Sequence, residues 1–510
     1  MRRYVAAGYV CVFVSVLIAI YFNPTHFDRR KVSVRGHADD PFHKASYLFR
    51  TERGGAALAV LHKGRLVIDQ WGGMADPSAG SEWKEQTMAV AYSTSKIFAG
   101  LIFSLLKDQE SAKWDYDDKV SKFWPKYAAH GKGDTTIRDV LDHKAGLVAF
   151  SRDFTLGEAL DPVNVSTIIE QSAPKWIPGT KKGYHALTYG FLVDQLVRRL
   201  DVKGRSVHQF VEEEIKPFAD SNDFYIGVPY EEQYRIARVS DPSLLSSVLA
   251  HAAKPLQFAH IMRKYHEHGG LADYAGSFPH IDAIPYNDPD TRTLGLLSSM
   301  GIGTARSMAH LAQRLRPETL ELISTPTAVQ EDMFRFCDSA HGHGFFYEPH
   351  PLNPEDQNIR FLGNGMQLID WNPKEDIIIV FLRNGLHPAA EGLQEMLNIV
   401  ENVYRVIGQS RDEKTGPMED VLLVRCFFTL YTDWCDFSMV TAAVGYASPH
   451  PPVVVCVCFQ KARASCVVDS HLLSSARPSS VAWAHHKMFV PFFPAKNTSV
   501  NCPPSLNQLS

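Results

Sequence analysis

Strand-like patterns lie at both ends of the body of this chain, with a long helical stretch between them. That order limits the folds open to it more than any other feature. Residues 56–73, AALAVLHKGRLVIDQWGG, read as a β-hairpin, two apolar runs around a turn containing Gly64. From Ser93 a helix is predicted, with apolar residues at Ile97, Phe98, Leu101, Ile102, Leu105 and Leu106 on one face. Residues 110–330 carry mostly helical patterns broken by loops. Short strands then return at 343–348, 366–371 and 376–385, the last two as a second hairpin around NPKE. An amphipathic helix over 389–407 closes the pattern.

The chain has 510 residues, 45% hydrophobic and 21% charged, which suits one large globular domain or two. Its formal net charge is −4 and no run of basic residues occurs. A nucleic-acid partner, which calls for a basic face or stripe, is not expected. No internal repeat or low-complexity tract is visible.

The two ends read differently from the body. Tyr4 to Phe22 contains no charged residue and is long enough, as a helix, to cross a hydrocarbon core of roughly 30 Å. A cleaved signal peptide is the competing reading, but the run is long and no small-residue cleavage site follows it. Residues 1–22 are therefore expected to be an uncleaved membrane anchor making the protein single-pass. Basic residues flank the span on both sides (Arg2, Arg3; Arg29, Arg30, Lys31), so flanking charge does not select an orientation. Residues 23–50 read as a linker and 51–410 as the folded domain. Residues 431–510 hold only eight charged residues, and their apolar runs follow neither helical nor strand period. The segment 411–510 is expected to be a poorly ordered tail. Six of the eight cysteines (Cys426, Cys435, Cys456, Cys458, Cys466, Cys502) lie in that tail without a zinc-binding spacing, so the body needs no disulfide framework.

The spelling S-x-x-K occurs at Ser93–Lys96, Ser81–Lys84 and Ser172–Lys175. Only Ser93 opens a long helix. There, residues i and i+3 share a face, so the Lys96 amine can reach the Ser93 hydroxyl. A helix N-terminus favours developing negative charge, and a neutral, desolvated lysine can take a serine proton. The plain alternative is an N-cap serine beside a surface lysine.

The surrounding segments favour the catalytic reading. QTMAVAYSTSKIFAGLIFSLLKDQ, then TIRDVLDHKAGL, PGTKKGYHALTYG and GIGTARSMAHLAQRL follow one another in order between about residues 50 and 407. Together they resemble the serine β-lactamase-related family, which includes class C β-lactamases, penicillin-binding peptidases and family VIII carboxylesterases. The resemblance implies a β-lactamase/transpeptidase-like α/β (α+β) fold. In it an antiparallel sheet is built from the N-terminal hairpin and the C-terminal strands, flanked by helices, with a mostly helical region inserted. It further implies Ser93 as the acylated nucleophile, Lys96 as its partner base and Tyr184 as the tyrosine of the family's Y-x-N motif. No cofactor or metal is implied, and the substrate would be a small-molecule or peptide-like ester or amide.

Two positions depart from the family pattern. The asparagine of Y-x-N is Ala186. The third motif, Lys or His followed by a small residue and Gly, is matched on an expected strand by Phe361-Leu362-Gly363, which would make the Asn364 backbone N–H the second oxyanion donor. Lys414-Thr415-Gly416 spells the motif better but lies in a charged loop after the closing helix. His341 and His343 are expected to be structural. Loss of the cationic group keeps open a second reading, a degenerate relative acting as a scaffold.

Overall fold

The computed structural model describes residues 30–412 other than 32, 44–50, 53, 110–111, 219–222, 241–284, 311–314, 316, 334–336 and 387–388. All of these belong to the first of two units, Met1–Phe437. Tyr4–Phe22, the tail beyond residue 412 and the Lys414–Gly416 motif lie outside the described residues. No helix among the described residues is long and apolar enough to cross a membrane.

The strands are β1 (Arg30–Lys31), β2 (Val34–Ala38), β3 (Thr51–Glu52), β4 (Gly55–His62), β5 (Arg65–Asp76), β6 (Ser81–Glu82), β7 (Ala89–Val90), β8 (Phe224–Ile226), β9 (Gly301–Gly303), β10 (Ala328–Asp332), β11 (Cys337–Gly342), β12 (Phe345–Pro349), β13 (Gln357–Leu362), β14 (Leu368–Asn372) and β15 (Ile377–Arg383). The principal sheet runs β10-β11-β12-β13-β14-β15-β4-β5-β2, with β6 added to β5. Every pairing along it is antiparallel. The decisive join is β15 to β4, in register from Ile377 opposite His62 to Arg383 opposite Ala56. It seats the last strand against the first hairpin, so the sheet closes from both ends of the chain as the resemblance implies.

Both faces of this join are covered, which is why its strands read as unbroken apolar runs rather than alternating ones. Alternate residues of a strand point to opposite faces. Ala57, Ala59, Leu61, Ile378, Val380 and Leu382 enter one core, with Ile97, Phe98, Leu101 and Ile102 of helix α1 (Ile97–Asp108). Ala56, Leu58, Val60, Ile377, Ile379 and Phe381 enter the other. There they meet Met396, Ile399, Val400, Val403 and Ile407 of a closing helix, Ala389–Asp412, spaced three and four apart. Each fully buried Leu, Ile or Phe contributes about 1.5–3 kcal/mol. Helix α1 crosses β12 closely because it carries Gly100, where a Cβ would sit 2.4 Å from the Phe345 ring.

Several expectations need adjustment. Within the expected linker 23–50, Val34–Ala38 forms a strand on the edge of the principal sheet, paired with β5. Its neighbours are polar, so its pairing was hidden from an apolar-pattern reading. The stretch 110–330 also holds β8, β9 and part of the sheet edge, β10, beside its helices. β8 and β9 are three residues each, too short to show a period. GIG at 301–303 is strand β9, and the helix behind it starts at Ala305. Strand β14 begins at Leu368 rather than residue 366, since Met366 has φ +64° in the turn that precedes it.

Candidate active site

The segment around Ser93 begins as a 3-10 turn, Tyr92–Lys96, and becomes α-helical only at Ile97. Ser93 is thus neither the first residue of the α-helix nor its side-chain cap. Tyr92 takes φ +49°, unusual for a residue with a bulky side chain. The two side chains that follow Ser93 hold this turn by reaching back to the carbonyls that precede that serine. Thr94 Oγ1 donates to the Ala91 carbonyl at 2.6 Å and Ser95 Oγ to the Tyr92 carbonyl at 2.5 Å. The Gly301 N–H donates to Ser95 Oγ at 2.9 Å, and a Cβ on Gly301 would lie 2.5 Å from that oxygen. Strand β9 therefore supports the turn from below, with a glycine where contact is closest.

The Lys96 side chain is fully buried. Its Nζ lies 3.3 Å from Ser93 Oγ and donates at 2.8 Å to each of two backbone carbonyls, Ala186 and Ser298. No carboxylate among the described residues pairs with it. Burial without a counter-charge pushes its pKa well below the ordinary lysine value. A neutral amine has two protons and one lone pair. The two carbonyls can only accept, so they take the two protons, and the remaining tetrahedral direction is left for the Ser93 hydroxyl. That arrangement suits a base waiting for the serine proton.

Tyr184 reaches the same place from a distant loop, the one that also carries Ala186, 90 residues beyond Lys96. Its ring centroid is 4.7 Å from Lys96 Nζ. The ring lies 5.0 Å from that of His143 and 6.2 Å from that of Phe346. The Tyr184 N–H donates to Asp332 Oδ1 at 3.2 Å, and Asp332 is fully buried.

Ala186 lacks the amide of the family motif, yet it still holds the lysine, through its main-chain oxygen. Phe361 is only 4% exposed and packs edge-on to Phe346 with centroids 5.1 Å apart. The third-motif position is thus occupied by a buried apolar ring, beside the same Phe346 that lies 6.2 Å from the Tyr184 ring. Gly363 follows β13 and lies against the nucleophile segment, where a Cβ would sit 2.8 Å from the Ala91 carbonyl. Asn364 follows it and is exposed. The structure thus gathers Ser93, Lys96, Tyr184 and Ala186 around one amine and brings Gly363 against the residue two before Ser93. The other two S-x-x-K serines are elsewhere: Ser81 lies in β6, and Ser172 follows the helix Pro162–Gln171.

Three contributors were missed from sequence. Ser298 lies in LGLLSSMG, an apolar stretch with no motif, and its role rests on a main-chain oxygen that no side-chain pattern can announce. Asp332 follows Glu331 at the end of strand β10, in a stretch with no motif. His143 sits inside TIRDVLDHKAGL, so the resemblance pointed at its loop but not at the residue. His341 is buried, with Nδ1 2.9 Å from the Ser339 carbonyl, as expected of a structural histidine.

Comparison with known proteins agrees with this architecture. Residues 43–401 match the family model described as Beta-lactamase. The esterase/beta-lactamase LipL of Mycobacterium tuberculosis is 30% identical over 264 residues, 51% of this chain and 57% of LipL. The alignment therefore spans little more than half the length of that relative. A family VIII carboxylesterase crystal structure aligns over 73% of this chain and all of its own, at 22% identity and TM-score 0.61. A penicillin-binding protein homolog from Caulobacter crescentus aligns over the same share of this chain and all of its own, at 23% identity and TM-score 0.60. EstA from Arthrobacter nitroguajacolicus Rue61a covers 74% of this chain and all of its own, at 22% identity and TM-score 0.58. These three likenesses concern the fold. On the family match, which takes in most of its length, this chain belongs to the Beta-lactamase family.

Proposed function

We propose that the protein is a serine hydrolase that cleaves an ester or amide through an acyl-Ser93 intermediate. The observation that carries this reading is the buried Lys96 amine, 3.3 Å from Ser93 Oγ and held by two carbonyls. Lys96 accepts the Ser93 proton as Oγ attacks the substrate carbonyl carbon. The backbone N–H groups of Ser93 and Asn364 receive the oxyanion. Tyr184 passes a proton to the leaving alcohol or amine, whose bond to the carbonyl carbon then breaks. Water next adds to the acyl carbon and gives its proton to the Tyr184 phenolate, while the proton that Lys96 took from Ser93 returns to Oγ. Ser93 Oγ leaves as the free hydroxyl and the acid is released.

Substrate class follows from the third-motif position. A Lys or His there would attract a carboxylate; Phe361 carries no charge and faces the core. Uncharged esters or amides suit the site better than β-lactams, which bear a carboxylate. The membrane anchor over Tyr4–Phe22 and the dispensable tail belong to the same proposal and rest on sequence alone. Labelling with a fluorophosphonate probe tests the central claim: wild type should label and Ser93→Ala should not. Equal labelling of the two would remove Ser93 from the mechanism and move the scaffold reading ahead.

A further inference from the structure

Three consecutive backbone N–H groups around Tyr184 are held, and His143 takes two of them. Gly183 N–H donates to the His143 carbonyl at 3.0 Å. His185 N–H donates to the His143 ring at Nδ1, also at 3.0 Å. Between them, Tyr184 N–H donates to Asp332 Oδ1 at 3.2 Å. The His143 ring also stacks on Tyr189 at 4.4 Å, so it is gripped from the far side by helix Thr188–Leu200. His143 is 1% exposed and takes φ +62°, a left-handed conformation that costs a residue with a Cβ on the order of 1–2 kcal/mol. Such strain persists only where the surroundings over-determine it.

From this bracket we infer that His143 is a positioning residue which sets the place of the Tyr184 phenol by clamping the backbone on both sides of it. The inference rests on the proposed hydrolysis, in which Tyr184 transfers the leaving-group proton. Its chemistry is specific. To accept from His185 N–H, Nδ1 must be unprotonated, so the neutral ring carries its proton on Nε2. His185 does not compete for that role: its Nε2 accepts from Leu147 N–H at 3.0 Å, which leaves its Nδ1–H to donate to the Gly183 carbonyl at 2.7 Å. Among the described residues, the loop bearing Tyr184 thus has one ring-nitrogen acceptor from outside itself, and it is on His143. A displacement near 1 Å at a proton-transfer group costs about a hundredfold in rate.

The experiment compares His143→Asn with His143→Gln in the full-length chain, alone and combined with Tyr184→Phe, on a short-chain p-nitrophenyl ester. Asparagine carries an acceptor at the position of Nδ1 and tolerates left-handed φ; glutamine carries its acceptor one bond further out. His143→Gln should lower kcat about tenfold to a hundredfold with little change in KM, and His143→Asn should recover most of it. Because His143 acts through Tyr184, the glutamine substitution should cost less than about twofold more in the Tyr184→Phe background. Equal rates for the two His143 variants, or an undiminished loss in that background, would overturn the inference while leaving Ser93-dependent hydrolysis standing. Turnover that survives Ser93→Ala would overturn the hydrolysis reading and this inference together.

Discussion

The Lys96 amine donates to the Ser298 carbonyl at 2.8 Å across 202 residues of sequence. That contact defines the site as much as the serine does. With the Ala186 carbonyl it occupies both protons of a neutral amine and leaves the lone pair for Ser93. Ser298 is itself pinned, since its Oγ donates to the Leu187 carbonyl and accepts from Gly190 N–H at 2.6 Å.

A base of this kind fixes the sign of the pH dependence. Burial lowers the Lys96 pKa well below the free-lysine value, so the amine stays neutral at pH values where a free lysine is charged. Activity should be present above the folded-state pKa and be lost as pH falls through it. Lys96→Arg should be inactive at every accessible pH, because guanidinium stays protonated. Adding Lys96→Ala to Ser93→Ala should cost little more than Ser93→Ala alone, because the two act as a unit. A rate that rises on acidification would contradict a neutral lysine base.

Gly190 meets the Ser298 backbone so closely that a Cβ would lie 2.6 Å from Ser298 Oγ and 2.7 Å from its nitrogen. Gly190→Ala must push Ser298 away and loosen one of the two carbonyls that hold Lys96. Steady-state kinetics should show a lower kcat and a displaced acid limb. An unchanged pH profile would mean that the second carbonyl is dispensable.

Phe361 is packed in the core rather than open to substrate. Phe361→Ala should lower stability by about 3–5 kcal/mol, the cost of a buried aromatic truncation, as read from urea unfolding. A loss of under about 1 kcal/mol, with KM changed instead, would return Phe361 to the substrate surface.

Acid should destabilise the fold. Burial lowers the pKa of His185, His341 and His343 to about 4 each, and that of His143 well below its usual value. Unfolded histidines titrate near 6.5, so the unfolded chain binds more protons as pH drops from there towards 4. The stability is complete above about pH 6.5 and declines below it, by up to about 1.4 kcal/mol per pH unit for each histidine. Thermal melting from pH 7.5 to 4.5 should show this fall, and His185→Gln should make it shallower. A flat profile would mean that these rings are reached by water.

The ends of the chain are tested separately. Carbonate extraction of the expressed protein should leave it with the membrane if Tyr4–Phe22 anchors it. A soluble body beginning after residue 22 would refute the anchor. A chain ending at residue 415 should melt as cooperatively as the full one; its aggregation, with the full chain soluble, would show that the tail is needed.

Much of the fold is a local property of the sequence. The β4–β5 hairpin, helix α1, the β14–β15 hairpin and the closing helix all carry apolar residues at the period of the element they form. Each can be found within its own window because the signal is side-chain repetition along a short stretch. The nucleophile and its lysine are equally local, one turn apart. Tyr184 and Gly363 came from motif order in a known family.

Tertiary structure decided what no window contains. The short strands β8 and β9 exist because neighbours pair with them. The Phe361 ring is buried because Phe346 is there to receive it. Lys96 is poised as a base because two carbonyls, from Ala186 and Ser298, converge on its amine. A main-chain oxygen is present at every residue, so composition and motif cannot say which one will matter. That choice is made only when distant segments are packed together and water is excluded from between them.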